Sequence, residues 1–80
     1  MGYHIRKITK GKYGEVSKIR EELEELEDAM EQNNKILALV ELSDLYGAIK
    51  AVAKNTGVTM DDVKKMSEAT ESAFKDGSRQ

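Results

Sequence analysis

The 80-residue sequence contains no cysteine, no proline and no tryptophan. Without cysteine, neither disulfides nor thiolate metal sites are available. Without proline, long uninterrupted helices are favoured. No apolar run approaches the roughly 18 residues that a membrane-spanning helix requires, and the basic N-terminus lacks the apolar stretch of a secretory signal. We therefore expect a cytoplasmic protein without a membrane partner.

Charged residues make up 35% of the chain, yet the net charge is only −2 because the two signs are segregated. Bases predominate in residues 6–20, and acids alone occupy the charged positions of residues 21–31. Such blocks usually mark a solvated helix face or an interaction tail. Since the whole chain is acidic and has few aromatic residues, nucleic acid is not an expected partner.

The spacing of apolar residues in steps of three and four predicts helices. The three predicted helices cover residues 13–32, 35–55 and 59–76. Asn33 and Asn34 form a polar turn between the first two helices. Gly57 is the expected left-handed terminator of the second helix, and Thr59 forms a capping box with Asp62 at the start of the third.

The second predicted helix is apolar around almost its whole circumference, which is typical of a helix buried on more than one side. A chain this short has a small core of its own, so we expect a homodimer or homotetramer. The predicted fold is all-α, with a helical hairpin core in a three-helix chain that completes a four-helix-type bundle by homo-oligomerisation. The domain covers residues 13–76 and the C-terminal tail residues 77–80. Residues 1–12 form an N-terminal arm, either extended over a partner subunit or disordered.

Two pairs of acids stand three residues apart, Glu22 with Glu25 and Glu41 with Asp44. Residues at this spacing project from the same side of a helix, and an antiparallel hairpin brings the two pairs to similar levels. Ionised carboxylates on an apolar helix are unfavourable unless they are paired or bind a cation. Oxygen-only ligation favours Mg²⁺ or Mn²⁺ over zinc. The alternative is that Glu41 and Asp44 form salt bridges with the basic N-terminal segment or line a polar stripe.

The motifs E-E-L-E-E at residues 21–25 and E-L-S-D at residues 41–44 resemble the EExxE…ExxD signature of MazG-like all-α nucleotide pyrophosphohydrolases. The short format and the A-F-K-D-G-S-R ending resemble compact, often phage-encoded members. The resemblance covers roughly residues 13–80. It implies Mg²⁺-dependent hydrolysis of a nucleoside triphosphate to the monophosphate and pyrophosphate, with Mn²⁺ as a substitute, by a homo-oligomer.

Carried over by position, the resemblance makes Glu22, Glu25, Glu41 and Asp44 the metal ligands. The candidate catalytic residues are Glu21 and Glu22. Glu21, the remaining acid of the motif, holds or activates water or pairs with a neighbouring base, and a glutamate of raised pKa serves as the general base.

The third helix departs from the family pattern because it lacks the asparagine and the basic pair that larger members carry around an aromatic residue. Lys64, Lys75 and Arg79 are the candidates for phosphate contact, although lysines on an outer face are usually only solvated. The alternative function is a non-enzymatic helical interaction module whose acidic face binds a basic partner.

Overall fold

A computed structural model describes residues 3–77, and this part of the chain contains three helices and no strand. The helices are α1 (Val16–Glu31), α2 (Lys35–Thr56) and α3 (Met60–Lys75). The predicted all-α class is confirmed. Of the predicted tail, only Gly77 lies within the described residues. None of the described helices combines the length and the apolar character that crossing a membrane demands.

Helix α1 begins at Val16, later than the expected start at Tyr13. The reason is local. Gly14 adopts a positive φ of 92°, and Glu15 is extended, so the backbone cannot be helical before Val16. The N–H of Glu15 closes a turn by donating to the carbonyl of Lys12 at 3.0 Å.

The predicted polar turn joins α1 and α2 into a hairpin. Asn33 takes the left-handed conformation with φ of 53°, which asparagine tolerates better than most residues. The side chain of Asn34 then accepts a hydrogen bond from the N–H of Leu37 at 3.0 Å and caps the start of α2. These two residues therefore reverse the chain and start the second helix at once.

The core of the hairpin consists mainly of small side chains. Ala29 on α1 packs with Leu37 and Ala38 on α2, and Leu26 covers this cluster. Further along α2, Ala48 is also buried. Alanine at these contacts lets the two helix backbones approach closely, so polar side chains on neighbouring positions of both helices can meet.

The N-terminal segment, residues 3–15, has no helix or strand and lies along the chain's own hairpin. The N–H of Ile5 donates to the carboxylate of Asp28 at 3.0 Å, and the N–H of Gly11 donates to the carboxylate of Glu21 at 2.7 Å. Arg6 pairs with Glu31 at the surface. In the single chain, buried acids on α1 thus bind the backbone of this segment.

Apolar side chains of α2 and α3 are more exposed than their helical spacing suggests. Ile36, Leu39 and Tyr46 of α2 are exposed to 60% or more, and no residue of α3 is buried. Within the described residues, α3 lies close to α2 and not to α1. Met66 and Phe74 of α3 are likewise exposed in the single chain.

The terminator of α2 allows a direct test of the fold. Gly57 has φ of 93°, and a Cβ atom at this position would meet nothing within 4 Å. Replacing Gly57 with alanine should lower the free energy of unfolding by about 1 kcal/mol, because only the left-handed backbone conformation is penalised. Gly57→Asn should lower it by less, since asparagine tolerates this conformation. Urea unfolding measures both values, and an alanine variant as stable as wild type would contradict the assignment.

Candidate metal centre

Four carboxylates of the hairpin converge on one point. Glu22 and Glu25 of α1 and Glu41 and Asp44 of α2 each offer an oxygen atom, and these four atoms all lie within 4.8 Å of one another. Each pair occupies successive turns of its helix, and the turn at Asn33 and Asn34 sets the two pairs opposite each other. The structure thus brings together all four residues that the sequence assigns to a metal.

Burial makes this arrangement unfavourable for four free anions. Glu22 and Glu41 are almost wholly buried, at 3% and 4% exposure, whereas Asp44 is exposed. Burial, together with the neighbouring carboxylate of Glu25, raises the pKa of Glu22 to about 7. Burial and Glu25 also raise the pKa of Glu41, against the opposing effect of His4. A divalent cation at this point would offset the repulsion and favour the ionised forms.

One buried oxygen atom of this cluster has no hydrogen-bond partner. Within residues 3–77, two buried side-chain oxygens are unpartnered: Oε1 of Glu41 in the cluster and Oδ1 of Asp28 outside it. A buried polar atom without a partner is costly, and coordination of a cation would satisfy it. Four carboxylates without a thiolate form a hard donor set, which suits Mg²⁺ or Mn²⁺. The donor set and the unpartnered oxygen therefore both fit such a cation.

His4 lies beside the cluster and bridges two buried acids. Its Nδ1 is 2.7 Å from Oδ2 of Asp28, and its Nε2 is 2.8 Å from Oε2 of Glu41. Burial opposes the charged ring, but the hydrogen bonds to Asp28 and Glu41 outweigh this effect and raise the pKa of His4. Asp28 is fully buried. Burial opposes its charge as well, yet the hydrogen bonds from His4, Ile5 and Gln32 lower its pKa.

The pattern of the sequence does not identify His4 or Asp28 as part of the site. His4 is the only histidine and lies in a segment without apolar periodicity. Asp28 stands in the acidic block, which is usually read as a solvated face. One signal was available, because Asp28 follows Glu25 by three residues and therefore extends the same face of α1. One alternative was that Glu41 forms a salt bridge with the basic N-terminal segment. Glu41 does pair with this segment, and the partner is His4.

Glu21, one of the two candidate catalytic residues, is not among the four converging acids. Its carboxylate accepts hydrogen bonds from the N–H of Gly11 at 2.7 Å and from Nζ of Lys18 at 3.1 Å. Burial opposes ionisation, but these two donors lower the pKa of Glu21. Of the roles left open for Glu21, pairing with a base agrees with these contacts. Glu22, the other candidate, lies within the cluster.

A cavity of about 700 Å³ opens beside the cluster, between the N-terminal segment and the hairpin. Its lining combines three of the four converging acids with bases and apolar side chains. The bases along it are His4, Arg6 and Lys10. Lys64 and Lys75, predicted as phosphate contacts, do not line it, and Lys75 pairs with Glu71 on the surface of α3. Arg79 lies outside the described residues.

Comparison with known proteins assigns most of the chain to a family. The phosphoribosyl-ATP pyrophosphohydrolase family matches residues 3–71 of the chain. This range includes the N-terminal segment and all four converging acids. No curated protein and no solved structure matches.

The raised pKa of Glu22 predicts pH-dependent metal binding. In the native protein this pKa is about 7, above its ordinary value of 4.5, so the native state keeps a proton that the unfolded chain loses between these pH values. A cation must displace that proton. We expect the apparent affinity for Mg²⁺ to rise about tenfold from pH 6 to pH 8, and Mg²⁺ to raise the melting temperature more at pH 8 than at pH 6.

The control for this prediction is Glu68→Gln, which removes an exposed acid of α3 and should leave the pH dependence unchanged. Thermal unfolding with and without Mg²⁺ at the two pH values measures the effect. Equal stabilisation at pH 6 and pH 8 would show that no proton is displaced.

Proposed function

This chain belongs to the phosphoribosyl-ATP pyrophosphohydrolase family, within the MazG-like all-α superfamily, and we propose that it hydrolyses nucleoside triphosphates to nucleoside monophosphates and pyrophosphate with Mg²⁺. Membership makes the chain a hydrolase of phosphoanhydride bonds with a nucleotide-like substrate. The observation that supports the finer proposal is the convergence of four carboxylates, two of them almost wholly buried, beside a cavity of nucleotide size.

We assign the metal to Glu22, Glu25, Glu41 and Asp44. The family is typically dependent on divalent metals, and these residues form its candidate site in this chain. When bound, Mg²⁺ would neutralise the charge of the triphosphate and polarise the phosphorus atom under attack. Mn²⁺ has similar ligand preferences and is the expected substitute.

A side chain of this protein would accept the proton that the attacking water loses. In the proposed reaction a water oxygen attacks the α-phosphorus atom, the bond from this atom to the bridging oxygen breaks, and pyrophosphate leaves. We assign the carboxylate of Glu22 as the acceptor of the water proton, because it lies in the cluster and would be ionised when the cation is bound. Glu21 accepts hydrogen bonds from the N–H of Gly11 and from Nζ of Lys18. We therefore propose that it contributes by holding the N-terminal segment against α1.

The cavity beside the cluster is the proposed seat of the nucleotide. Its volume of about 700 Å³ lies in the range of small-molecule sites. Apolar side chains of Ile8, Ile36 and Val40 line it and suit the faces of a base. Arg6 and Lys10 line the same cavity and are better placed for phosphate contact than Lys64 or Lys75.

Phosphoribosyl-ATP is a second candidate substrate, which the name of the family favours. It carries the same triphosphate as ATP and would undergo the same cleavage at the cluster. The additional ribose phosphate would need basic contacts beyond those proposed for the triphosphate. Since such nucleotides belong to the cytoplasm, the proposal places the enzyme there.

Self-association is the remaining part of the proposal. Leu39, Leu42 and Tyr46 expose more than half of their surface on α2, and a helix so apolar is usually covered on several sides. We propose that α2 of a second copy, in a dimer or tetramer, covers this face and completes a four-helix bundle.

The metal assignment predicts the activity of two variants. Glu41→Gln and Asp44→Asn should each lower Mg²⁺-dependent pyrophosphate release by at least about 100-fold, because each removes a charged ligand. The assay compares ribo- and deoxyribonucleoside triphosphates with phosphoribosyl-ATP, and circular dichroism verifies the fold. Asp61→Asn, which alters an exposed acid of α3, should retain full activity.

Robust turnover in both site variants would refute the assignment of the metal. An inert wild-type chain across the whole panel would instead favour the non-enzymatic interaction module.

The proposed interface predicts the behaviour of Leu39→Glu. A charge in the centre of an apolar interface opposes association, so this variant should sediment as a smaller species than wild type at the same concentration. Lys54→Glu, at an exposed position near the end of α2, is the control and should sediment like wild type. Sedimentation velocity measures both, and a monomeric wild type would contradict the proposal.

A further inference from the structure

We propose that His4 is a positioning residue of the metal centre, which fixes the carboxylate of Glu41 so that one of its oxygens remains available for the cation. The inference rests on the proposed function, since it requires a metal at the four carboxylates. His4 belongs to the N-terminal segment, which lies outside both acidic motifs. The inference therefore gives this segment a role at the metal centre.

The two carboxylate oxygens of Glu41 have different surroundings. Oε2 is 2.8 Å from Nε2 of His4, and Oε1 is buried without a hydrogen-bond partner among the described residues. A carboxylate held through one oxygen cannot rotate freely, so the position of the other oxygen is also fixed. Residues that orient metal ligands in this way commonly change metal affinity by 10- to 100-fold.

His4 is itself held rigidly. Its Nδ1 is 2.7 Å from Oδ2 of Asp28, which also accepts hydrogen bonds from the N–H of Ile5 at 3.0 Å and the side chain of Gln32 at 3.2 Å. Because Asp28 is fully buried, this anchor has little freedom. The hydrogen-bond chain from Asp28 through His4 to Glu41 thus connects α1, the N-terminal segment and α2.

A competing role for His4 is direct ligation. One ring nitrogen of His4 lies within 4.8 Å of ligand atoms of Glu25 and Glu41. Yet both ring nitrogens are engaged by carboxylate oxygens of Asp28 and Glu41, so neither has a lone pair directed at the cluster while these bonds persist. The two roles differ in whether nitrogen is bound to the metal, and spectroscopy distinguishes them.

Two neutral variants of His4 test the inference as a matched pair. In His4→Gln the amide nitrogen reaches the place of Nε2 and keeps the contact with Glu41. In His4→Asn it reaches the place of Nδ1 and keeps only the contact with Asp28. Both remove the same charge and each keeps one hydrogen bond of the segment. Titration with Mn²⁺ should show about tenfold or greater loss of affinity in His4→Asn and affinity close to wild type in His4→Gln.

The wild-type titration separates this inference from the proposed function. If wild type does not bind Mn²⁺, the metal site itself is refuted. If wild type binds and the two variants lose equal affinity, or none, the role of His4 is refuted and the metal site stands. Electron spin echo spectra of bound Mn²⁺ should lack coupling to a directly ligated imidazole nitrogen, and such coupling would make His4 a ligand.

A further control tests whether any loosening of the N-terminal segment has the same effect. Glu31→Gln breaks the surface ion pair with Arg6 and leaves His4, Asp28 and Glu41 unchanged. We expect wild-type affinity for Mn²⁺. A loss equal to that of His4→Asn would attribute the effect to docking of the segment and overturn the inference.

Discussion

The repulsion among four carboxylates where the hairpin brings its two helices together constrains the rest of this structure. Glu22 and Glu41 have lost nearly all contact with solvent, so water screens the charges of these two acids poorly. Burial of an uncompensated charge generally costs several kcal/mol. Burial and the carboxylate of Glu25 accordingly raise the pKa values of Glu22 and Glu41.

The N-terminal segment relieves part of that repulsion. Its backbone donates to Asp28 and Glu21, and His4 reaches Glu41. Outside this segment, Glu21 and Asp28 have one further donor each, from Lys18 and Gln32. The segment has no regular secondary structure, and hydrogen bonds to buried acids on α1 and α2 are what hold it in place. The acids beside the cluster, Asp28 and Glu21, accept hydrogen bonds from backbone N–H groups, and within the cluster Glu41 is bound by His4.

The hairpin and the converging acids could be predicted because both follow from local rules. Periodicity located the helices, Asn33 and Asn34 marked the turn, and spacing of three residues placed each acidic pair on one side of its helix. The contacts of His4 could not be predicted in this way. They join residues 24 and 37 positions apart, and a single histidine in an irregular segment carries no periodicity. The exposure of Tyr46 in the single chain also lies beyond local rules, because apolar spacing indicates a face to be covered without indicating which chain covers it.

The alanines of the hairpin have a consequence for the size of ion that can be accommodated. Ala29 and Ala48 are buried and keep α1 and α2 close together, so the distance across the acidic cluster depends on side chains that carry no charge. Coordination distances are about 2.0–2.1 Å for Mg²⁺ and 2.3–2.6 Å for Ca²⁺. Bulkier residues at these positions would separate the helices and shift the preference toward the larger ion. If the cluster binds a cation as proposed, discrimination between two cations of equal charge would depend on methyl groups outside the coordination shell.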